Sequence, residues 1–467
     1  MKLLLFANTY LFNFRRSLAS TLREAGHEVL LLSLSGPHVE KLRALGFDWR
    51  EAPMDRRSLN PLREAALLFW IYRLLRAERS DVIHSFTIKC VVYGALAGRL
   101  AGVARVNAVA GMGHVFTSDS LKTRLLRPLV RFLMRAALGG DRARLILQNP
   151  DDINLFLSVG LASQERIRLI PGSGVDCTRF RPPTEPRAPG EPPCVLVASR
   201  MLWDKGIREF VEAARALKAQ GRNVRFALAG TPDPGNPTAV PEETLIAWRD
   251  SGVVEWLGYV ADMPALFART DIVVLPGYRE GLPKGLIEAA ACARPLVATD
   301  VPGCREVIRD GVDGLLVPVG ESEPLAKAIA RLLDDPALAR RLGEAARAKA
   351  LVEFDERKIN EATLAVYRAA TDAFHADSDP ELAEHLLWLR EDIRDPVFNA
   401  LARARFALFR AAILKRLPPV RLPRQKVARL LDAQLHGALI QWAIEPKGSL
   451  TDYVMESLAA VLRLAAD

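Results

Sequence analysis

The stretch Ile272–Asp300 constrains this chain more than any other. Ile272-Val-Val-Leu275 reads as a buried strand, and it runs directly into the corner Pro276-Gly-Tyr-Arg-Glu-Gly-Leu-Pro283. Pro283 can open a helix, because its missing N–H is not needed at the first helical position. One carboxylate, Glu280, is in the corner; another, Glu288, falls inside the predicted helix. At about 1.5 Å of rise per residue, Glu288 lies roughly 7 Å along the axis from the helix start. That span suits an elongated ligand better than a point-like one. The first-turn amides around Leu282, Lys284 and Gly285 have no intrahelical acceptors, so they form a site for an anion such as a diphosphate.

A second corner lies upstream. Val195–Ser199 reads as a strand and is followed at once by Arg200-Met-Leu-Trp-Asp-Lys205-Gly206. Helix N-termini favour acids over bases, so two cations at such a corner call for an anionic ligand. Gly258 and Tyr259 follow a further strand candidate, Val253–Leu257.

The setting Glu280-Gly-Leu-Pro-Lys-Gly-Leu-Ile-Glu288-Ala resembles the paired-glutamate motif of the retaining nucleotide-sugar glycosyltransferases of family four, and Arg200 with Lys205 resembles that family's Arg-x4-Lys pair. The resemblance spans roughly residues 1–374. It implies an α/β chain of the GT-B fold, with two Rossmann-like domains facing a cleft. By the same resemblance, Arg200 and Lys205 grip the donor diphosphate and Glu288 binds the ribose hydroxyls. Glu280 contacts the sugar, with Gly281 and Leu282 offering amides, while Gly258 and Tyr259 meet the nucleobase. UDP is the commonest nucleotide of the family, and neither a metal nor another cofactor is expected. Phe86-Thr-Ile-Lys89 and Thr299-Asp-Val-Pro-Gly-Cys-Arg-Glu306 look like segments of surface-polysaccharide members, which implies a polyprenyl-diphosphate-linked saccharide as acceptor. No carboxylate is clearly placed as a nucleophile, so same-face displacement by a hexosyl- or N-acetylhexosaminyltransferase is expected.

Composition narrows the setting. A chain of 467 residues, half of them hydrophobic, can build two or three cores. Its formal charge of +9 favours an anionic partner: a nucleotide, a nucleic acid or an acidic membrane. Cys90, Cys177, Cys194, Cys292 and Cys304 are scattered and odd in number, which signals neither a disulfide framework nor a zinc site. The apolar opening Met1–Ala7 stops too soon for a signal peptide and reads as a first strand. No run reaches the about 18 apolar residues of a membrane span. The expected location is the cytoplasm, peripherally bound to the inner face of the cytoplasmic membrane.

Apolar runs and helical spacings partition the chain. Residues 1–180 form a first α/β domain with strand candidates Lys2–Ala7, Glu28–Ser33, Asp81–His84, Arg105–Val109 and Leu145–Gln148. The corner after the first of these has no glycine, which disfavours a dinucleotide site. Proline-rich 181–193 reads as a linker. In 194–355 the apolar runs are Val195–Ser199, Val224–Gly230, Val253–Leu257, Pro264–Ala268, Ile272–Leu275, Leu296–Asp300 and Gly314–Val317. By the resemblance, a helix over 356–374 crosses back to the first domain. A mostly helical appendage fills 375–467. Its Asp377-Ser-Asp379 matches a metal-binding pattern, but helix capping before Pro380-Glu explains it better.

Acceptor-side candidates lie in the first domain: Asn13, Phe14 and Arg15 at the mouth of the first strand, with His84 and His114 as candidate acid–base groups. Arg124, Arg127, Arg131 and Arg135 recur at spacings of three and four beside leucines, a stripe suited to anionic headgroups. Residues 403–429 repeat the theme with basic residues and no acid. Two other readings compete. A nucleotide-sugar 2-epimerase shares the architecture but not this pairing of Glu280 with Glu288. A nucleic-acid-binding protein fits the charge but lacks an aromatic stacking motif.

Overall fold

The computed structural model describes residues 1–8, 11–36, 38–55, 58, 60–109, 121–183, 190–233 and 236–372, together with Val427 and Leu431; it leaves aside the side chains of Asn13, residues 121–129 and Asp372. The chain divides into two compact units, Met1–Arg368 and Ala369–Asp467. The appendage expected over 375–467, with Asp377-Ser-Asp379 and the basic segment 403–429, lies outside the described residues apart from Val427 and Leu431.

The first unit carries two parallel sheets. One has seven strands: β1 (Lys2–Phe6), β2 (Glu28–Ser33), β3 (Asp48–Glu51), β4 (Val82–Phe86), β5 (Ala104–Ala108), β6 (Ala143–Leu147) and β7 (Ile167–Leu169), in the order β3-β2-β1-β4-β5-β6-β7. The other has six: β8 (Cys194–Ala198), β9 (Arg225–Ala229), β10 (Glu255–Gly258), β11 (Ile272–Leu275), β12 (Leu296–Thr299) and β13 (Leu315–Val317), in the order β10-β9-β8-β11-β12-β13. Strand order reverses between β1 and β4 in one sheet and between β8 and β11 in the other. Open α/β sheets bind ligands at the carboxyl ends beside such a reversal.

Alternation along the central strands divides the second core. Val195 and Val197 of β8, with Ile272 and Val274 of β11, pack on one face; Cys194, Leu196, Val273 and Leu275 pack on the other. Helices Ile207–Ala219 and Ser322–Asp334 cover the first face and Lys284–Ala291 covers the second, while Pro336–Lys349 contributes Leu338 and Leu342 to the first and Ala346 to the second. Burial on both faces explains why these strands read as unbroken apolar runs. All five cysteines are buried free thiols.

Three local expectations change. Pro264–Ala268 belongs to a helix, Met263–Ala268, whose start is capped by the Asp262 carboxylate accepting from the Ala265 amide at 3.1 Å. Edge strand β3 has no apolar run, since only Trp49 is buried; its indole donates to Ser33 Oγ at 2.9 Å. Strand β7 is three residues long, too short for a periodic signal.

Helix Glu356–Asp372 returns to the first sheet. Asn360 Nδ2 donates to Ser17 Oγ at 3.0 Å and to Thr21 Oγ1 at 2.9 Å, and Tyr367 packs on His84. The returning helix therefore packs on helix Leu11–Glu24 and on strand β4 of the first domain.

Candidate active site

The two corners singled out by sequence meet at the carboxyl ends of β8 and β11. Gly206, at φ +68°, makes this approach: a side chain there would collide with the Pro276 carbonyl. The Tyr278 amide donates to Asp204 O at 2.9 Å across the same contact. Lys205 is thereby brought onto Glu280, donating from Nζ to Oε1 at 2.6 Å and Oε2 at 2.8 Å. The carboxylate is 7% exposed and the ammonium 19%, so this is a largely desolvated pair. Arg200 Nη1 donates to Asp233 Oδ2 at 2.8 Å, but the arginine stays half exposed.

The backbone of Glu280 and Gly281 is gripped from both sides. The Gly303 amide donates to Glu280 O at 3.2 Å, at a point where an added Cβ would stand 2.5 Å from Gly281 O. From the first domain, Asn149 Nδ2 donates to Gly281 O at 2.9 Å. Asn149 also caps helix Pro150–Ser158, its Oδ1 accepting from the Asp152 amide at 2.7 Å.

A cavity of about 410 Å3 opens beside these loops, walled by Arg200, Gly230, Tyr259, Lys284, Gly285 and Glu288 of the second domain and by Phe12, Phe14 and Arg16 of the first. Glu288 is in the helix Lys284–Ala291, with Lys284 Nζ 3.9 Å from its carboxylate. Burial raises the pKa of Glu288 and lowers that of Lys284, while their attraction opposes both shifts. Lys284 Nζ also stands 5.1 Å over the Phe14 ring. Gly258 turns at φ +62°, and its carbonyl accepts from the Gly230 amide at 2.7 Å, leaving Tyr259 72% exposed at the rim. A second cavity, about 340 Å3, lies between Phe14, Arg15, Phe86 and Gln148 of the first domain and Arg200, Leu282 and Lys284 of the second.

Most of the sequence candidates thus converge: Arg200, Gly258, Tyr259, Gly281, Leu282, Lys284 and Glu288 with Phe14 and Arg15, and Lys205 locked to Glu280. His84 does not. It lies within β4, 1% exposed, with Nδ1 2.6 Å from the Tyr367 hydroxyl, and it lines neither cavity. Burial, and then the nearby Arg15, push its pKa well below the usual histidine value. His114, the Asn13 side chain and the side chains of Arg124 and Arg127 lie outside the described residues. Arg131 and Arg135 are exposed on helix Leu121–Leu138, far in sequence from the cleft loops. Arg135 is also in use, donating to Gly160 O at 2.8 Å and Val159 O at 2.9 Å.

Sequence reasoning passed over Asn149, Asp176, Arg179, Asp233 and Glu356. Asp176, Arg179 and Glu356 line the larger cavity, where burial raises the pKa of Glu356. The repeated glycines of Gly172-Ser-Gly174, both at positive φ, were the signal available for the loop that leads to Asp176.

Comparisons with known proteins agree with this geometry. A family model described as a glycosyl transferase 4-like domain matches residues 13–172, and one described as glycosyl transferases group 1 matches residues 192–335. The chain is 30% identical over 372 residues to the N,N'-diacetylbacillosaminyl-diphospho-undecaprenol alpha-1,3-N-acetylgalactosaminyltransferase of Campylobacter jejuni, covering 77% of this chain and 96% of that protein. It is 24% identical over 292 residues to the UDP-Gal:alpha-D-GlcNAc-diphosphoundecaprenol alpha-1,3-galactosyltransferase of Escherichia coli, covering 60% of this chain and 74% of that one. Among solved structures, HepE of Anabaena in complex with UDP-glucose has a TM-score of 0.63 at 21% identity, covering 78% of this chain and 99% of that chain; this is a likeness of fold. With the two parallel-sheet domains, the paired corners and a relative matched along nearly its whole length, the chain belongs to the group 1 glycosyltransferases and has their GT-B fold.

Proposed function

We propose that the protein transfers a hexosyl or N-acetylhexosaminyl group from a nucleotide sugar, UDP-linked, to a saccharide carried on a polyprenyl diphosphate, with retention of configuration and without a metal. The observation that carries this reading is the junction of the two corners. Arg200 and Lys205 stand at the end of β8, facing the start of helix Lys284–Ala291 and the glutamate loop at the end of β11. A leaving diphosphate seated there meets two cations and the positive end of helix Lys284–Ala291, which stabilise the charge that develops as the glycosidic bond breaks. The same groups supply the positive charge that a divalent ion provides in other transferases. Glu288, deeper in the larger cavity, suits ribose hydroxyls. Glu280, bonded by Lys205 and Gly303 in a loop that Asn149 also holds at Gly281, suits sugar hydroxyls. In this reading the leaving diphosphate helps deprotonate the acceptor hydroxyl, so attack occurs on the face the leaving group departs from.

The acceptor class rests on the relatives from Campylobacter and Escherichia, whose names specify diphospho-undecaprenol substrates. Among the described residues no helix is long and apolar enough to cross a membrane. Contact with a lipid-borne acceptor would be through surface groups such as exposed Arg131 and Phe132 at the inner face of the cytoplasmic membrane. The test is a panel of UDP-sugars scored for thermal stabilisation and for turnover onto synthetic polyprenyl-diphosphate saccharides, with EDTA present and the product anomer assigned by NMR. Complete loss of turnover on chelation, or an inverted product, would reject the corresponding part of the proposal.

A further inference from the structure

The two cavities of the cleft differ in charge. The larger is mixed in sign, with Arg16, Arg179, Arg200 and Lys284 facing Asp176, Glu288 and Glu356 in its wall. Among the described residues the smaller has Arg15, Arg200 and Lys284 in its wall and no carboxylate. Two of these cations have acids of their own: Arg200 pairs with Asp233 and Lys284 lies near Glu288. Arg15 has none. Among the described residues its guanidinium makes no hydrogen bond or ion pair and rests 4.1 Å over the Phe86 ring. Burial lowers its pKa to about 10, so it is still protonated at neutral pH. A half-buried cation without an anion is unfavourable unless a ligand supplies one.

The donor diphosphate does not account for Arg15. Its partners in the proposed reaction belong to the second domain, whereas Arg15 projects from helix Leu11–Glu24 on the opposite wall. Asn8, Thr87, Gln148 and Ser173 line the same cavity and offer neutral donors that could complete the coordination of phosphate oxygens.

We propose that Arg15 is the centre of a second anion site in the cleft, which receives the diphosphate of the lipid-linked acceptor. This inference rests on the acceptor class proposed above. When the acceptor saccharide is a single sugar, its reacting hydroxyl and its diphosphate are attached to one ring. The phosphates must then enter the cleft with it, and an anion receptor is needed on the wall facing the donor. Arg15 has that position.

The experiment compares wild type, Arg15→Gln and Arg15→Lys with one donor that wild type turns over and two acceptors: a monosaccharide on a short polyprenyl diphosphate, and the same sugar as an uncharged alkyl glycoside. In Arg15→Gln the ratio of kcat/KM for the charged over the neutral acceptor should fall by about tenfold or more, as expected for a hydrogen bond to a charged group. Arg15→Lys, which keeps the charge but not the fork, should restore part of it. As a readout independent of turnover, geranyl diphosphate should bind UDP-saturated wild type and bind the glutamine variant more weakly. Equal losses on both acceptors, or equal binding of geranyl diphosphate, overturn the assignment. If wild type uses neutral glycosides but no diphosphate-linked acceptor, the acceptor class itself is wrong and this site falls with it. That outcome is visible without any variant.

Discussion

The side-chain amide of Asn149 donates to the main-chain carbonyl of Gly281 at 2.9 Å, so the first domain holds the loop that carries Glu280. The orientation of this amide is fixed. Its oxygen accepts from the Asp152 amide, while its nitrogen serves both Gly281 O and Asp152 Oδ2, the latter at 3.0 Å. Rotating it by half a turn would set its oxygen against two acceptors. Opening of the cleft along this line must break the bond to Gly281.

Asn149→Ala should therefore lower kcat by roughly 3- to 10-fold, the worth of one hydrogen bond, with little change in donor KM. Asn149→Asp should do worse, because a carboxylate would face the Gly281 carbonyl and Asp152. Steady-state kinetics on folded variants decide it. An unchanged kcat in both would show that the loop needs no support from the first domain.

Arg200→Ala and Lys205→Ala should each reduce turnover by on the order of 10²-fold, by removing charge from the leaving diphosphate. They should differ in stability. Lys205→Ala strands the Glu280 carboxylate, which is only 7% exposed, so Tm should fall; Arg200 is half exposed and its loss should leave Tm nearly unchanged. Adding Glu280→Gln to Lys205→Ala should recover Tm but not activity. Near-normal turnover in both single variants would remove these residues from the diphosphate site.

Glu288 carries a pH signature. Its pKa is raised by burial, against the pull of Lys284, so between the unfolded value and the raised folded value the native state binds more protons. Stability should fall as pH rises through that window. Glu288→Gln should abolish this slope and leave the ligand-free protein at least as stable as wild type at neutral pH. Its stabilisation by UDP should shrink, since a ribose contact made throughout the reaction acts through binding. Thermal scans across pH with and without UDP measure both effects.

The parts of the site legible in the sequence are those written within one strand and its corner. Arg200 and Lys205, Gly258, and Glu280 with Glu288 each follow an apolar run directly, and the family resemblance gave them roles. Asn149 was illegible because its partner is 132 residues away, and only the apposition of two sheets joins them. Glu356 is likewise brought to the cavity by the helix that returns to the first domain. His84 shows the converse: local context suggested a ligand at a strand end, but the same returning helix lays Tyr367 over it.

For His84 the structure leads to a stability role. Its lowered pKa means that protonation favours the unfolded chain, so stability should decline as pH falls below the ordinary histidine value of 6.5. Tyr367→Phe removes the hydroxyl from a buried ring nitrogen and should cost about 1–3 kcal/mol of stability. Transfer activity of the folded variant should persist. A bell-shaped rate profile that loses one limb in His84→Gln would instead return His84 to the chemistry.

The arginine stripe divides by what each guanidinium already does. Arg135 donates to the last carbonyls after helix Pro150–Ser158, at Val159 and Gly160, where a cation also complements the helix dipole. Its replacement by glutamine should chiefly lower stability, by about 1 kcal/mol. Arg131 is exposed beside Phe132, which is 67% exposed, and this pairing of a cation with an unburied ring suits a lipid interface. Each basic residue near an anionic membrane contributes about 1 kcal/mol, an effect that weakens with salt. Replacing Arg124, Arg127 and Arg131 together by glutamine should reduce flotation with anionic liposomes and slow transfer to a long-chain acceptor, while turnover with a short soluble acceptor stays near that of wild type. Equal flotation of mutant and wild type would assign membrane contact to another surface, such as the basic segment 403–429.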